Sequence, residues 1–213
     1  MNSEEKKVSY TTSNSYSTLN TLNSDTETIW IVFHGMGYLS TFFINYFKVL
    51  DTNTNFIIAP QAPSKYYQDS KFKHVGSSWL TRENTQVETE NILTYIDAIV
   101  KNEGVANAKN IVVLGYSQGV SIATRWVSSR KIQCKHLVLH SGGIPTELKA
   151  SDFSFLNKNI PVTYLYGNKD QYITEARKTE QLLLGNNLFG ERLRVHKFEG
   201  IHEVNTNFIK NMQ

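Results

Sequence analysis

The most restrictive stretch of this sequence is IVVLGYSQGVSIATRW, which occupies residues 111–126. Four apolar residues lead into Gly115, Tyr116, Ser117, Gln118 and Gly119, and a helical pattern of apolar residues follows at once. Glycine is favoured where a crowded backbone or a positive φ excludes side chains. A buried strand that turns directly into a helix through a serine set between two glycines is typical of a nucleophile elbow. The alternative is a tight turn whose serine only caps the helix.

The same alternation of strands and helices continues along most of the chain. Continuous apolar runs, typical of strands buried on both faces, occur at 29–33, 56–59, 111–114, 137–139 and 162–166, and a more alternating strand contains Leu193 and Val195. Helical spacing appears in the sets Phe43-Tyr46-Phe47-Leu50, Ile92-Tyr95-Ile96-Ile99-Val100 and Val120-Ala123-Thr124-Val127. This pattern predicts an α/β fold with a mostly parallel central sheet and helices on both faces.

Polar and glycine residues collect where these strands are predicted to end. The segments are HGMG, APQAP, GYSQG, HSGG and GNKDQ, after residues 33, 59, 114, 140 and 166. Ligands bind at the carboxyl ends of strands in sheets of this kind. We therefore expect the chemistry of the protein at this edge.

Length and composition favour one globular body. The chain has 213 residues, of which 40% are hydrophobic, and this is enough for one sizeable core. We predict one domain over residues 29–213. Residues 1–28 are rich in Ser, Thr and Asn and are predicted to form an edge strand, a hairpin or a loose arm.

Several classes of protein are disfavoured by composition. No run approaches the roughly 20 apolar residues of a membrane span, and the polar N-terminus lacks the apolar segment of a secretory signal. The single cysteine, Cys134, excludes an internal disulfide. We therefore predict a cytoplasmic protein with no stable membrane insertion. The net charge is only +3 and the basic residues are scattered, so we expect no nucleic-acid partner.

A serine nucleophile needs a base and a group that orients the base. After an elbow serine, the acid and then the histidine follow in chain order. Asp170 follows the strand VTYLYG, and His202 lies in FEGIHEV after the last strand, so Ser117, Asp170 and His202 are predicted to form a catalytic triad. The competing histidines, interpreted as structural or as lying at the rim of the site, are His136, His140 and His196. Of the competing acids, Asp152 lies in a polar loop and Glu203, beside His202, is interpreted as solvated.

The transition state of acyl transfer also needs donors for the developing oxyanion. One donor is expected from the backbone N–H that follows the nucleophile, that of Gln118. The second is expected from the loop His34-Gly35-Met36-Gly37 after the first strand. The alternative reading of this loop is an ordinary flexible turn.

The motifs together resemble the phospholipase/carboxylesterase group of α/β-hydrolases, which includes the acyl-protein thioesterases. The resemblance spans roughly residues 29–205 and rests on HGMG, IIAPQAP, SSW, GYSQGV, YLYGNKDQYI and GIHEV in this order. It implies an α/β-hydrolase fold without a large lid, acting on carboxylic esters or thioesters with no cofactor. It also implies that Met36 and Gln118 supply the oxyanion N–H groups.

Three residues are predicted to contact the substrate. By the resemblance Trp79 lines the acyl or alcohol side of the site, although a tryptophan that covers the core fits the sequence equally well. Tyr38 follows HGMG, and His140 ends a strand at the same predicted edge. The sequence departs from the usual family pattern at Val120, Leu80 and Tyr38, so no relative's substrate transfers to this chain.

Two alternatives from other classes stay open. One is a non-catalytic ligand-binding protein on the same scaffold, and the other is a metal-dependent hydrolase. The six histidines show no H-E-x-x-H spacing, so no metal site is predicted. The expected partner is a small-molecule acyl ester or thioester, with acyl length, leaving group and oligomeric state left open.

Overall fold

The computed structural model describes residues 2–212, which form strands and α-helices in alternation. The strands are β1 (Tyr16–Leu19), β2 (Thr28–Phe33), β3 (Asn55–Pro60), β4 (Ser64–Tyr67), β5 (Val75–Ser78), β6 (Ile111–Tyr116), β7 (His136–His140), β8 (Val162–Gly167) and β9 (Leu193–Phe198). The α-helices are α1 (Ser40–Phe43), α2 (Thr85–Asn102), α3 (Gly119–Arg130), α4 (Glu175–Phe189) and α5 (Thr206–Lys210). Short 3₁₀ helices cover Ile44–Val49, Ala150–Phe153 and Gly190–Arg192.

Seven strands form the central sheet in the order β1-β3-β2-β6-β7-β8-β9. All neighbours pair in parallel except β1, which is antiparallel to β3. The predicted mostly parallel sheet is therefore confirmed. The strand order reverses between β2 and β6, where Phe33 pairs with Gly115. Ligands bind at such reversals in open α/β sheets, and here the loops that follow β2 and β6 lie side by side.

The inner strands of the sheet are buried on both faces, which explains their continuous apolar runs, whereas the edge strands β1 and β9 are partly exposed. Successive side chains of a strand point to opposite faces. In β2, Ile31 and Phe33 therefore pack in one core cluster with Trp126 of α3, while Trp30 packs in a second cluster with Phe47. Every residue of β3, β6 and β8 is buried. This double burial holds the carboxyl ends of the strands rigidly in place.

One predicted helix has a different form. The spacing of Phe43, Phe47 and Leu50 predicts a regular α-helix, but the segment is the four-residue α1 followed by a six-residue 3₁₀ helix. The side-chain amide of Asn45 donates to the carbonyls of Thr41 and Phe42, over 3.0 and 3.2 Å. These carbonyls are the acceptors that a continuing α-helix would use, and such side-chain competition disfavours regular helix. The apolar residues are nevertheless buried as their spacing predicts.

Some elements lie outside the sequence prediction. Helix α4 was not predicted, and neither was the antiparallel β4–β5 hairpin, in which Tyr66 pairs with Gly76. β1 lies within residues 1–28 and pairs with β3 through Tyr16 and Pro60. The part of the chain that the structure describes has no large lid over the sheet edge. None of its helices has both the length and the apolar character that a membrane span requires.

Candidate active site

The turn after β6 is the tightest point of the site. Ser117 has φ 52°, a left-handed conformation that is strained for a residue other than glycine. A Cβ on Gly119 would lie 2.1 Å from the carbonyl oxygen of Phe33, and one on Gly115 would lie 2.5 Å from the carbonyl oxygen of Gly119. The N–H of Ser117 donates to the carbonyl of His140 over 2.8 Å. Backbone crowding therefore requires the two glycines. The strained conformation of Ser117 is stabilised by its hydrogen bond to β7, the neighbouring strand.

Ser117, His202 and Asp170 form a continuous hydrogen-bonded chain. Nε2 of His202 lies 3.0 Å from Oγ of Ser117, and Nδ1 lies 2.7 Å from Oδ2 of Asp170. The Asp170 side chain is fully buried, and its other oxygen accepts the N–H of Tyr172 over 2.9 Å. Both carboxylate oxygens thus have donors, as a buried charge requires. In the neutral ring, Nδ1–H donates to Asp170 and Nε2 accepts the serine hydroxyl.

Side chains from the central sheet form hydrogen bonds to the loop that carries His202. The hydroxyl of Tyr116 donates to the carbonyl of His202 over 3.1 Å. Nε2 of His140 accepts the N–H of Asn205 over 3.0 Å. The ring of Tyr172 packs edge-on against His202, with centroids 4.7 Å apart. The position of the imidazole therefore depends on groups from β6, β7 and the loop after β8.

His140 lines neither cavity of the site, so its binding of substrate stays a prediction that the cavities do not support. Its side chain is fully buried. Burial, together with repulsion from His202, lowers its pKa to about 3. The ring is therefore neutral, with Nδ1 donating to Oγ of Ser141 and Nε2 accepting from Asn205. His140 supports the site from within the sheet.

The loop after β2 is fixed by a second buried histidine. Burial lowers the pKa of His34 to about 4, so the ring is neutral at pH 7. Its Nδ1 donates to the carbonyl of Gly35 over 2.8 Å, and its Nε2 accepts the N–H of Ala62 over 3.1 Å. At the tip of the loop the Met36 side chain is 62% exposed. The loop is thus anchored at its base while Met36 reaches the surface.

Trp79 is a core residue and lines neither cavity, so its contact with substrate stays a prediction that the cavities do not support. It is 1% exposed, and its indole N–H donates to the carbonyl of His34 over 2.8 Å. The Gln118 side chain ties the same segment to the elbow: Oε1 accepts the N–H of Trp79 and Nε2 donates to the carbonyl of Leu80, each over 2.8 Å. Trp79 therefore braces the loops instead of touching a ligand.

The backbone N–H groups of Met36 and Gln118 remain available. Among residues 2–212, neither group donates a hydrogen bond to the protein. The loop after β2 and the loop after β6 pack closely together at Gly35, where a Cβ would lie 3.0 Å from the Cβ of Ser117. Two unused donors beside a serine hydroxyl are suited to a negatively charged oxygen.

Two cavities adjoin Ser117. The first, of about 370 Å³, is lined by His202 and by a mainly apolar set: Tyr38, Tyr116, Tyr172, Met36 and Ile201. The second, of about 300 Å³, is lined by Met36, Gln118, Ser121, Gly143 and Arg177. Tyr38 is thus the one predicted substrate contact that the structure brings to a cavity. Over the described residues, no group of three or more His, Cys, Asp or Glu side chains is arranged to hold a metal ion.

Sequence reasoning missed the residues that shape the two cavities. Tyr116 and Tyr172 stand next to predicted motifs, before Ser117 and after Asp170, and this proximity is a signal that was available. Arg177 lies on α4, a helix that was not predicted, so the sequence pattern carried no pointer to it.

Comparisons with known proteins agree with this architecture. A family model described as Phospholipase/Carboxylesterase matches residues 16–213, which begins earlier than the motif resemblance. A search of curated proteins found no match.

Solved structures give the same fold at low identity. A phospholipase/carboxylesterase from Dyadobacter fermentans DSM 18053 is 20% identical, with 95% of this chain and 96% of that chain covered and a TM-score of 0.67. The Bacillus cereus carboxylesterase is 16% identical, with 93% and 91% covered and a TM-score of 0.66. Zea mays acyl-protein thioesterase 2 is 16% identical, with 94% and 96% covered and a TM-score of 0.64.

These similarities confirm the α/β-hydrolase fold. The family match covers most of the chain, from residue 16 to residue 213. The chain therefore belongs to the Phospholipase/Carboxylesterase family.

Proposed function

We propose that the protein hydrolyses carboxylic esters or thioesters through a covalent acyl-Ser117 intermediate. The observation that carries the proposal is the hydrogen-bonded chain from Ser117 through His202 to the buried Asp170, at the junction of two cavities. A serine hydroxyl becomes an effective nucleophile when a base lies within hydrogen-bonding distance. The 3.0 Å separation of Nε2 and Oγ meets this requirement.

In the first half of the reaction, Oγ of Ser117 bonds to the substrate carbonyl carbon while Nε2 of His202 takes the hydroxyl proton. The carbonyl oxygen becomes an oxyanion. When it re-forms the carbonyl, the bond to the leaving alcohol or thiol breaks and His202 gives that group its proton. Asp170 orients the ring through Nδ1–H and stabilises its charged form.

In the second half, water replaces the leaving group. His202 takes a proton from water as the water oxygen bonds to the acyl carbon. The bond to Ser117 then breaks, Oγ recovers a proton from His202, and the carboxylic acid leaves. The catalytic residues return to their starting protonation states, so no cofactor is required.

The oxyanion of both halves is proposed to be bound by the backbone N–H groups of Met36 and Gln118. Their lack of partners within residues 2–212 supports this assignment. Loss of one such donor typically lowers turnover by roughly 100- to 1,000-fold. We assign Tyr38 to substrate binding because it lines the cavity that contains His202.

We also propose a cytoplasmic location, which rests on composition. The single cysteine, Cys134, is buried, and burial raises the pKa of its thiol to about 12, so it stays protonated. The division of the chain at residue 28 stays a prediction.

The proposal is tested by labelling the protein with a fluorophosphonate and locating the adduct by mass spectrometry. We expect labelling at Ser117 that disappears in Ser117→Ala and is strongly reduced in His202→Ala. The matched control is Ser129→Ala, which removes an exposed serine of α3 and should label like the wild type. A folded wild-type protein that does not label would favour the non-catalytic ligand-binding alternative.

A further inference from the structure

The two cavities beside Ser117 differ in their charged groups. Lys169 lines the first cavity, and its ammonium pairs with Glu199 over 3.4 Å. Arg177 is the charged residue of the second cavity, and no carboxylate within residues 2–212 forms an ion pair with it. A guanidinium beside a reactive serine, without a protein counter-ion, is suited to an anionic ligand.

The local structure holds Arg177 at the cavity wall. Its backbone N–H donates to Oγ1 of Thr174, the N-cap of α4, over 3.3 Å. Its Nη1 donates to the carbonyl of Tyr172 over 3.4 Å. Its Nη2 lies 3.2 Å from the point where a Cβ on Gly143 would stand, so a larger residue at Gly143 would crowd it. A guanidinium has five N–H donors, and one carbonyl acceptor leaves the others available to a ligand.

The position of His202 assigns the two cavities to the two parts of an ester. His202 must reach the leaving oxygen or sulfur to protonate it. It lines the first cavity, together with aromatic side chains, and it does not line the second. The leaving group therefore belongs in the first cavity, and the acyl group extends on the other side of Ser117, towards Arg177.

Building on the proposed hydrolysis through Ser117, we propose that Arg177 binds a carboxylate at the far end of the acyl group. The preferred substrates are then monoesters or monothioesters of short dicarboxylic acids. A planar guanidinium matches a carboxylate with two parallel hydrogen bonds. The hydroxyl of Ser121 lies in the same cavity and adds a polar group to the wall.

The size of the second cavity sets the expected length of this acyl group. Its volume of about 300 Å³ is at the lower end of the range for small-molecule pockets, which is roughly 300–1,000 Å³. A short acyl chain fits this space. A long lipid chain would extend beyond the cavity, and its apolar carbons would lie against the guanidinium of Arg177, which has no counter-ion there. The charge and the size therefore favour the same class of substrate.

The test compares two benzyl esters of nearly equal shape. Benzyl hydrogen succinate carries the carboxylate, and benzyl 4-methylpentanoate replaces it with an isopropyl group. The release of benzyl alcohol gives kcat/KM for each ester. The ratio of the two values is measured for the wild type, Arg177→Gln, Arg177→Lys and Lys178→Gln. Lys178→Gln is the matched control because it removes one positive charge from the same helical turn. The ammonium of Lys178 pairs with Glu175.

We expect the wild type to prefer the succinate ester and Arg177→Gln to reduce this preference by about tenfold or more. Arg177→Lys should restore part of it, and Lys178→Gln should retain it. The inference is overturned if the wild type has no preference for the succinate ester, including the case in which it cleaves neither, or if the preference survives Arg177→Gln. Failure of the wild type to label with the fluorophosphonate would instead refute the hydrolysis through Ser117, so the two failures are distinguishable.

Discussion

The imidazole of His140 accepts the backbone N–H of Asn205 over 3.0 Å, and this contact joins the buried strand β7 to the loop that carries His202. The backbone carbonyl of His140 accepts the N–H of Ser117 over 2.8 Å. His140 therefore contacts the backbone of the proposed nucleophile and the backbone of the loop that carries the proposed base, although it touches neither reacting atom.

We expect His140→Leu to lower kcat by about tenfold or more while KM changes little, because the His202 loop loses its acceptor and the base shifts. It should also destabilise the fold by about 1–3 kcal/mol, since the N–H of Asn205 is left without a partner. His140→Gln retains an acceptor and should recover part of kcat. His196→Leu, at an exposed histidine of β9, is the control. An unchanged kcat in His140→Leu would contradict this positioning role.

We expect Asp170→Asn to lower kcat by roughly 10³- to 10⁴-fold, because the amide no longer holds the His202 tautomer that accepts the serine proton. The measurement is kcat from pH 6 to pH 9, together with a circular dichroism spectrum to establish folding. Asp152→Asn is the matched control, since this carboxylate accepts the N–H of Lys149 in a distant 3₁₀ turn. Equal effects of the two substitutions would argue against the role of Asp170.

We expect Gly119→Ala to destabilise the protein by about 3 kcal/mol or more, because its Cβ would lie 2.1 Å from the carbonyl oxygen of Phe33. Neither group is a flexible side chain, so the clash requires a backbone shift at the elbow. Gly185→Ala is the control. Its Cβ would approach side-chain atoms alone, of Leu193 at 3.2 Å and of Ile144 at 3.6 Å, and the change should stay within about 1 kcal/mol. Urea denaturation of both variants measures the difference, and similar values would show that the elbow tolerates a side chain.

We expect stability to fall as the pH drops below about 6.5. Burial lowers the pKa values of His34 and His136 from 6.5 to about 4 and that of His140 to about 3, so in this range the unfolded chain binds protons that the folded chain does not. Each group contributes its full stabilisation above pH 6.5 and loses about 1.4 kcal/mol per pH unit below it. The free energy of unfolding should therefore decrease by about 3–4 kcal/mol between pH 6 and pH 5.

Urea titrations at a series of pH values measure this dependence. His140→Gln removes one of the three groups and should reduce the slope by about 1.4 kcal/mol per pH unit. A free energy of unfolding that stays constant between pH 7 and pH 5 would contradict the prediction.

The location of the elbow could be predicted from local sequence. The apolar run before Gly115 and the helical spacing after Gly119 are determined over a few residues, and the burial of β6 on both faces follows from its continuous apolar run. The order in which serine, acid and histidine follow separate strands was likewise readable. By contrast, α4 was not predicted, because only a minority of its residues are fully buried and its apolar face is interrupted by polar side chains such as Gln181 and Asn186.

What the sequence by itself determined is therefore the class of fold, the elbow and the candidates for the triad. Chain order already favoured His202 over His140 as the base, but only the tertiary structure shows which of the two side chains contacts Ser117. Both follow strands of the same sheet, but His202 reaches Ser117 across 85 positions of sequence while His140 is buried beneath it. The same holds for Trp79, which packs in the core, and for Arg177, which reaches the second cavity. Such roles depend on which side chains meet when parallel strands and their helices pack together. A local sequence pattern contains no information about contacts between residues far apart in the chain.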